Sequence, residues 1–392
     1  MSENADCIKV AVRCRPLRQF EIERGAVDNV FQASGNEAVL KDPNNESSTP
    51  KRFAFDFVYD GTSTQDQVYQ DNVTPLLEKA FAGFNATVFA YGQTGAGKSW
   101  TMSGNAQHPG IIPRMSAELF QKIEKLREDY AAQGKERHFM VEASFFEIYN
   151  EQVFDLLVAK TKPGAKRKNL MLRETKARGV YVDGLNELVV KSESEIADII
   201  SQGNTNRSVG ATSMNAESSR SHSIFTLKIH QREAVEAAGG KEIKIFSKIN
   251  LVDLAGSERS SKTNATGARL KEGANINKSL TTLGTVINTL AKNAGAKKKD
   301  FVPYRNSKLT RVLQESLGGN SLTVMIAALS PASDNFAETL STLKYADRAK
   351  AIKLSAKKND NSEQVRHDIF PYLGTAINSF LLCLLNVFGA NG

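Results

Sequence analysis

Apolar and polar residues alternate over residues 7–13 (CIKVAVR), the pattern of a half-buried strand, and Pro16 ends the run. A second strand pattern covers residues 52–59. Residues 64–82 change to helical spacing, with Val68, Val73, Leu76, Leu77 and Ala80 apolar and Pro75 marking a kink or split. Residues 86–91 (ATVFAY) form a short, continuous apolar run of strand character. Residues 113–130 predict a long amphipathic helix opened by its proline, and residues 138–149 a strand. Ser192 and Glu195 make a capping box ahead of the apolar stripe 196–200. Residues 223–231 and 242–253 flank Gly239-Gly240 as a hairpin. Residues 276–291 and 305–317 are helical by period, 321–329 is a buried strand, and 337–352 is a last amphipathic helix. Strands and helices alternate through residues 7–352 without a linker, a break in composition or an internal repeat. The pattern predicts one α/β domain, a central and mainly mixed sheet with helices on both faces, although 392 residues would allow two or three domains.

Composition changes this picture little. The chain is 41% hydrophobic and 24% charged, as soluble domains are, and 51 basic against 43 acidic residues leave a net charge of +8. Such an excess favours an acidic partner surface without separating nucleic acid, membrane and acidic protein. Cys7, Cys14 and Cys383 are too few and too far apart for a disulfide framework, which points to a reducing compartment. The five histidines show no metal-ligand spacing, so no transition-metal site is expected. Residues 1–6 are polar and acidic and do not read as a signal peptide.

Three stretches carry chemistry. Gly92-Gln93-Thr94-Gly95-Ala96-Gly97-Lys98-Ser99 fits G-x-x-x-x-G-K-[ST] and follows a strand. Its glycines let backbone N–H groups close on phosphate oxygens, Lys98 is placed to reach the outer phosphates, and Ser99 to hold Mg²⁺. Asp253-Leu254-Ala255-Gly256 ends an apolar strand, where an aspartate can hold Mg²⁺ directly or through water and Gly256 can offer its N–H to a γ-phosphate. Residues 215–222 (NAESSRSH) gather hydroxyls suited to a metal and a water. Taken singly, these also read as a glycine turn, an ordinary Asp turn and a polar capped loop.

Together, in order and spacing, they resemble the nucleotide loop and the two switches (NxxSSRSH and DLAGSE) of the kinesin motor domain. The resemblance extends through residues 13–16 (RCRP), 146–151 (FEIYNE), 275–280 (NINKSL), 303–310 (PYRNSKLT) and 317–320 (LGGN), and covers about residues 7–353. It implies ATP and Mg²⁺ as ligands and a single P-loop NTPase motor domain over residues 1–353. Arg13, Arg15 and Pro16 would flank the adenine. Trp100 stands where the family often has histidine, to stack near the base or to pack into the core. Ser99 and Ser219 would coordinate Mg²⁺, with Asp253 behind a water. Ser218 and Gly256 would place the γ-phosphate and the attacking water, and an Arg220–Glu258 salt bridge would close the switches and relay a proton. Catalysis by closure suits phosphoryl transfer, which is mostly positioning and electrostatics.

The family's track is the acidic microtubule. Lys278 matches a contact position, Lys297, Lys298 and Lys299 form a triplet in the next loop, and Arg305, Lys308 and Arg311 are spaced three apart as on one helical face. Lys176 and Arg178 lie in a further contact loop. The resemblance therefore implies a microtubule-stimulated ATPase in the cytoplasm, on the cytoskeleton, with a microtubule and not nucleic acid as partner. The core begins within eight residues of Met1, as in the N-terminal, typically plus-end-directed motors. Residues 265–273 and the lysine triplet resemble the kinesin-three class. Competing readings are a microtubule-binding relative with little or no motility, disfavoured by the presence of Lys98, Arg220 and Glu258, and a signalling GTPase, disfavoured because Asn277-Lys278-Ser279-Leu280 lacks the aspartate of N-K-x-D.

Residues 351–353 match the start of a neck linker. Residues 354–368 are expected to be a polar linker remnant without the usual apolar docking strand, and no heptads follow, so no coiled coil is predicted. The twenty uncharged residues that begin at Ile369 and end at Phe388, within an apolar tail 369–392, are long enough to span a bilayer. Membrane anchor, segment packed on the motor, and truncated or misassembled C-terminus remain three readings of that tail. Cargo is not readable from the chain.

Overall fold

The computed structural model describes residues 7–27, 30–45, 47–158, 167–176, 178–208, 219–235, 241–258 and 268–359. In chain order the strands are β1 (Lys9–Cys14), β2 (Phe31–Ser34), β3 (Glu37–Leu40), β4 (Lys51–Ala54), β5 (Phe57–Tyr59), β6 (Ala86–Tyr91), β7 (Arg137–Tyr149), β8 (Gln152–Asp155), β9 (Met171–Thr175), β10 (Gly179–Asp183), β11 (Leu188–Val190), β12 (His222–Val235), β13 (Lys241–Asp253) and β14 (Leu322–Leu329). The helices are α1 (Gln19–Glu23), α2 (Gln65–Asn72), α3 (Thr74–Phe81), α4 (Lys98–Met102), α5 (Ile111–Ala131), α6 (Glu193–Ser208), α7 (Ala268–Asn293), α8 (Lys308–Val312) and α9 (Phe336–Lys350). The central sheet has the order β11-β7-β12-β13-β6-β14-β1-β5, with β8 paired to β7. It is mixed, as expected: β13, β6, β14, β1 and β5 run parallel, while β11, β7, β12 and β13 pair antiparallel.

Helices cover both faces because the central strands are apolar on both. On one face Ile224, Val252 and Met325 pack with Leu283, Val286 and Ile287 of α7 and Leu343 and Ala346 of α9. On the other, Phe225, Leu251 and Val88 pack with Leu77 of α3, Met115 and Leu119 of α5 and Ile196 of α6. Alternation along one strand, Ile224 to one side and Phe225 to the other, is what binds the two layers into one domain.

Several expected elements differ in extent. Residues 52–59 split, because Asp56 turns the chain: its carboxylate accepts the Val10 N–H at 2.8 Å and its own N–H bonds the Val10 carbonyl at 3.0 Å. β4 then joins β2 and β3 in a separate three-stranded sheet while β5 joins β1. Residues 64–82 divide at Val73, just ahead of Pro75, into α2 and α3. Residues 305–317 are not one helix. A 3₁₀ turn over Tyr304–Asn306 ends at Ser307, which is extended and caps the short α8 through its Oγ. Arg305, Lys308 and Arg311 therefore do not share one helical face.

Residues 352–359 add contacts that hydropathy does not record. Polar as it is, this segment lies along the core: Ile352 and Leu354 are buried, and the Ile352 carbonyl accepts from the Ile8 N–H at 3.1 Å. Ser355 N–H reaches the Gly319 carbonyl at 3.2 Å and Lys357 N–H the Asn320 Oδ1 at 2.6 Å. Asn359 closes the run, donating from Nδ2 to Asn85 Oδ1 at 2.9 Å and the Phe246 carbonyl at 3.0 Å, while its N–H bonds the Gly83 carbonyl at 2.9 Å. Backbone and amide hydrogen bonds do here what an apolar strand would otherwise do. The apolar stretch 369–388 lies outside the described residues, among which no helix is long and apolar enough to cross a membrane.

Candidate active site

β6 carries the chain to the phosphate loop. All six of its residues are buried, and it runs parallel to β13 and β14 on either side, so Gly92 emerges at the carboxyl edge of three parallel strands, where ligands of open α/β sheets bind. Gly92 has φ 150°, and a Cβ there would stand 2.2 Å from the Ala328 carbonyl oxygen. Gln93, Thr94, Gly95 and Ala96 form the turn to Gly97, from which α4 starts. Five residues give α4 little macrodipole, so the loop amides are the main anion cradle.

Lys98 folds back on this loop, its Nζ donating to the carbonyls of Gly92 and Gln93, both at 2.9 Å. Ser99 Oγ donates to Asp253 Oδ2 at 2.5 Å, across from β6 to the end of β13. Burial pushes the Lys98 ammonium down and the Asp253 carboxyl up, and each charge partly counters the other's shift. Asp253 Oδ1 is buried with no hydrogen-bond partner. A hydroxyl and a carboxylate with an unpartnered oxygen are the hard donors that a small divalent cation takes.

Behind Asp253 the chain crosses to the other loops. Gly256 N–H donates to the Ser219 carbonyl at 2.9 Å, Ser257 N–H to the Gly92 carbonyl at 3.1 Å, and the Glu258 carboxylate accepts from Thr94 N–H at 2.7 Å and Thr94 Oγ1 at 2.5 Å. All three sequence stretches are thus stitched together. Gly256 is required for it: a Cβ would lie 2.2 Å from Thr94 Oγ1 and 2.4 Å from Glu258 Oε2. Its N–H must leave Ser219 to reach a phosphate. Arg220 and Ser219 are half-buried at the entry to β12, while Ser218 lies outside the described residues.

Next to the loop is a cleft of about 480 Å³ lined by Arg13, Arg15, Pro16, Gly97, Trp100 and His108, among others. Trp100 is 40% exposed on the cleft wall, with its ring 5.8 Å from that of His108. Arg13 serves the wall from within. Its guanidinium reaches Gln65 Oε1 at 2.6 Å and Thr101 Oγ1 at 3.1 Å, and burial brings its pKa down to about 10. Arg15 holds Glu21 through both terminal nitrogens, at 2.6 and 2.5 Å, and the Gly95 carbonyl through Nε at 2.7 Å. The Arg15 hydrogen bond in turn keeps the buried Glu21 carboxyl below the usual range. Glu21, Gln65 and His108 belong to no motif; only the fold brings them here.

The basic residues are set apart from this cleft. Lys176 and Arg178 are exposed at the turn between β9 and β10, with Arg178 over the Tyr181 ring at 4.7 Å. Lys278 is exposed on α7. Lys297, Lys298 and Lys299 are exposed in a loop whose ends are clamped by Asn293, which donates to the Asp300 carbonyl at 2.9 Å and accepts from its N–H at 2.8 Å. Beside them Phe301 is 83% exposed, an apolar contact that periodicity did not flag. Arg311 is committed internally: it pairs with Glu174 at 2.5 Å and with Gln314 at 2.7 Å, and Arg305 approaches the same Glu174 at 3.5 Å. Lys308 is half-buried. Arg167 likewise turns inward to Glu147.

A glycine-walled phosphate loop at the edge of parallel strands, hydrogen-bonded to an aspartate strand end that in turn bonds a hydroxyl-bearing loop, defines a P-loop nucleoside triphosphatase. The chain belongs to the kinesin motor-domain family, whose model matches residues 13–352. It is 49% identical to mouse kinesin-like protein KIF13A over 368 residues, and 48% identical to rat kinesin-like protein KIF1B over 379 residues, covering 90% and 92% of this chain. These relatives are of the kinesin-three class, to which the sequence pointed. The chain spans about a fifth of their length, 20% in each case. Among solved structures it is similar to a KIF14 dimer with AMP-PNP in complex with a microtubule, at TM-score 0.84 and 44% identity over 91% of this chain and 97% of that one. A fast kinesin follows at TM-score 0.77 and 41% identity, with 94% and 97% covered.

Proposed function

We propose that this chain is an ATP-hydrolysing motor domain that works on microtubules and resides on the cytoskeleton in the cytoplasm. The observation that carries the reading is the series of bonds Thr94–Glu258, Ser257–Gly92 and Gly256–Ser219, which ties the phosphate loop to residues 253–258 and these in turn to Ser219. The base would lie in the cleft against Trp100, Arg15 and Pro16, with Arg13 bracing its wall. The triphosphate would lie along residues 92–99, where Lys98 exchanges its two carbonyl partners for phosphate oxygens. Ser99, Ser219 and Asp253 are the donors for Mg²⁺, whose charge neutralises the outer phosphates when it is bound. Gly256 and Ser218 would orient the γ-phosphate and the water. Glu258, in reach of Arg220 on closure, would take the water's proton as its oxygen bonds phosphorus and the bond to the β-phosphate oxygen breaks.

The basic face is the surface for an acidic track, with Lys176, Arg178, Lys278 and the Lys297–Lys299 triplet as exposed basic contacts and Phe301 as an apolar one. Two of the structures it resembles are microtubule complexes, which supports this partner. Residues 351–359 would act as the neck linker, docked as seen along Gly83, Asn85 and Gly319, and stepping is proposed to be plus-end-directed, as in the N-terminal motors. A microtubule-stimulated ATPase assay with gliding on polarity-marked microtubules tests the proposal. Stimulated turnover with plus-end-directed motion is expected; tight microtubule binding without turnover would establish the non-motile alternative.

A further inference from the structure

One buried side chain at the junction of these loops has no part in the chemistry above. His222 opens β12 and is 2% exposed. Its Nδ1 accepts the Ala255 N–H at 2.9 Å, and its Nε2 lies 2.7 Å from Ser279 Oγ on α7. An imidazole nitrogen that accepts from an amide carries no proton, so Nε2 bears the hydrogen and donates to the serine. Burial, with the nearby charges of Arg207 and Lys98, lowers its pKa to about 3, so the ring is neutral and this tautomer is fixed.

Three parts of the molecule meet at that ring. Ala255 lies between Asp253 and Gly256, the residues nearest cation and phosphate. His222 follows Ser219, whose carbonyl holds Gly256. Ser279 is buried and adjoins the exposed Lys278 of the basic face. From behind, the ring's chain is anchored: Arg207 donates to Ser221 Oγ and to the Ser221 carbonyl, both at 3.0 Å, and itself approaches Glu147 at 3.8 Å. With its backbone held, a displacement of Ala255 passes through the ring to Ser279.

We propose that His222 is a positioning residue that transmits the state of the Asp253–Gly256 loop to α7 through the Ala255–His222–Ser279 chain of hydrogen bonds. When Gly256 leaves the Ser219 carbonyl for a phosphate, the Ala255 N–H shifts with it, and the ring pulls the turn of α7 that presents Lys278. The same link runs in reverse, so that a track bound at Lys278 loosens the nucleotide loops. This inference rests on the proposed microtubule-stimulated ATPase.

The test is Ser279→Ala in the full chain, beside wild type, with steady-state ATPase and microtubule-triggered release of a fluorescent ADP analogue. The variant is expected to keep its basal rate and its KM for ATP. Its microtubule-stimulated kcat and the triggered release should both fall by about tenfold. Ser279→Thr, which keeps a hydroxyl, should restore stimulation. His222→Asn keeps an acceptor for Ala255 but is too short for Ser279, so it should lose stimulation to the same degree, and the double variant should lose no more. Full stimulation in Ser279→Ala overturns the inference, as does an equal fall in basal and stimulated rates. An unstimulated wild type would instead overturn the proposed function.

Discussion

At the phosphate end of the cleft, Lys98 and Asp253 are buried and held by hydrogen bonds, the latter from Ser99 Oγ at 2.5 Å. On the basic face, Lys297, Lys298 and Lys299 stand in water on a clamped loop. Both regions are built from charge, but the low-dielectric cleft makes each contact expensive to misplace, whereas a solvated surface needs only sign and exposure. Catalytic groups therefore sit in short, contiguous motifs at strand ends, and the basic face is assembled from single residues of several segments. The difference teaches where substitutions bite: one atom at the first region, summed charge at the second.

The sharpest break is Lys98→Ala. Removing the only ammonium in the loop should lower kcat/KM for ATP by roughly a hundredfold to a thousandfold, read by steady-state ATPase. Next is Gly256→Ala, whose Cβ would fall 2.2 Å from Thr94 Oγ1. It should cut turnover by about a hundredfold while an ADP analogue still binds, because the base cleft is untouched. If both fall together, the cleft and the partner loops act as one unit.

Charge reversal of Lys297, Lys298 and Lys299 to Glu tests the other region. Microtubule co-sedimentation should weaken by about tenfold at low ionic strength, three exposed pairs each contributing little. The loss should shrink with added salt as screening shortens to about 3 Å at 1 M. A salt-independent loss would mean the loop acts through shape. The same assay on Arg311→Ala should show a smaller effect, since that guanidinium is already paired with Glu174.

A last effect, on stability rather than on activity, is one of pH. His222 titrates near 3 in the fold against 6.5 ordinarily, so below pH 6.5 the unfolded chain binds the extra proton. Its contribution is complete above pH 6.5 and is lost on acidification by at most about 1.4 kcal/mol per pH unit down to about pH 3. Denaturant melts at neutral and mildly acidic pH should show the slope, and His222→Asn should flatten it.

The elements lost between sequence and fold were lost for identifiable reasons. Residues 52–59 alternate through Asp56, and periodicity does not register that its carboxylate would bond Val10. Residues 305–317 keep helical spacing although Ser307 breaks the helix. Residues 354–359 are polar, yet dock by amide bonds, which hydropathy patterns do not record. Short strands such as Phe31–Ser34 and Leu188–Val190 gain their conformation from their partners.

By itself, the sequence determined the alternating α/β order, the phosphate loop, the Asp253–Gly256 strand end and the family, because each depends on local period or on contiguous residues whose backbone must approach a phosphate. Tertiary structure alone decided that Arg13 is a wall brace tied to Gln65, that Arg15 answers to Glu21, that Arg311 is spent on Glu174 and that His222 spans Ala255 and Ser279. All but Arg15–Glu21 join residues far apart in the chain, and the burial that strengthens the Arg13 and His222 bonds exists only once the two helical layers have closed on the sheet.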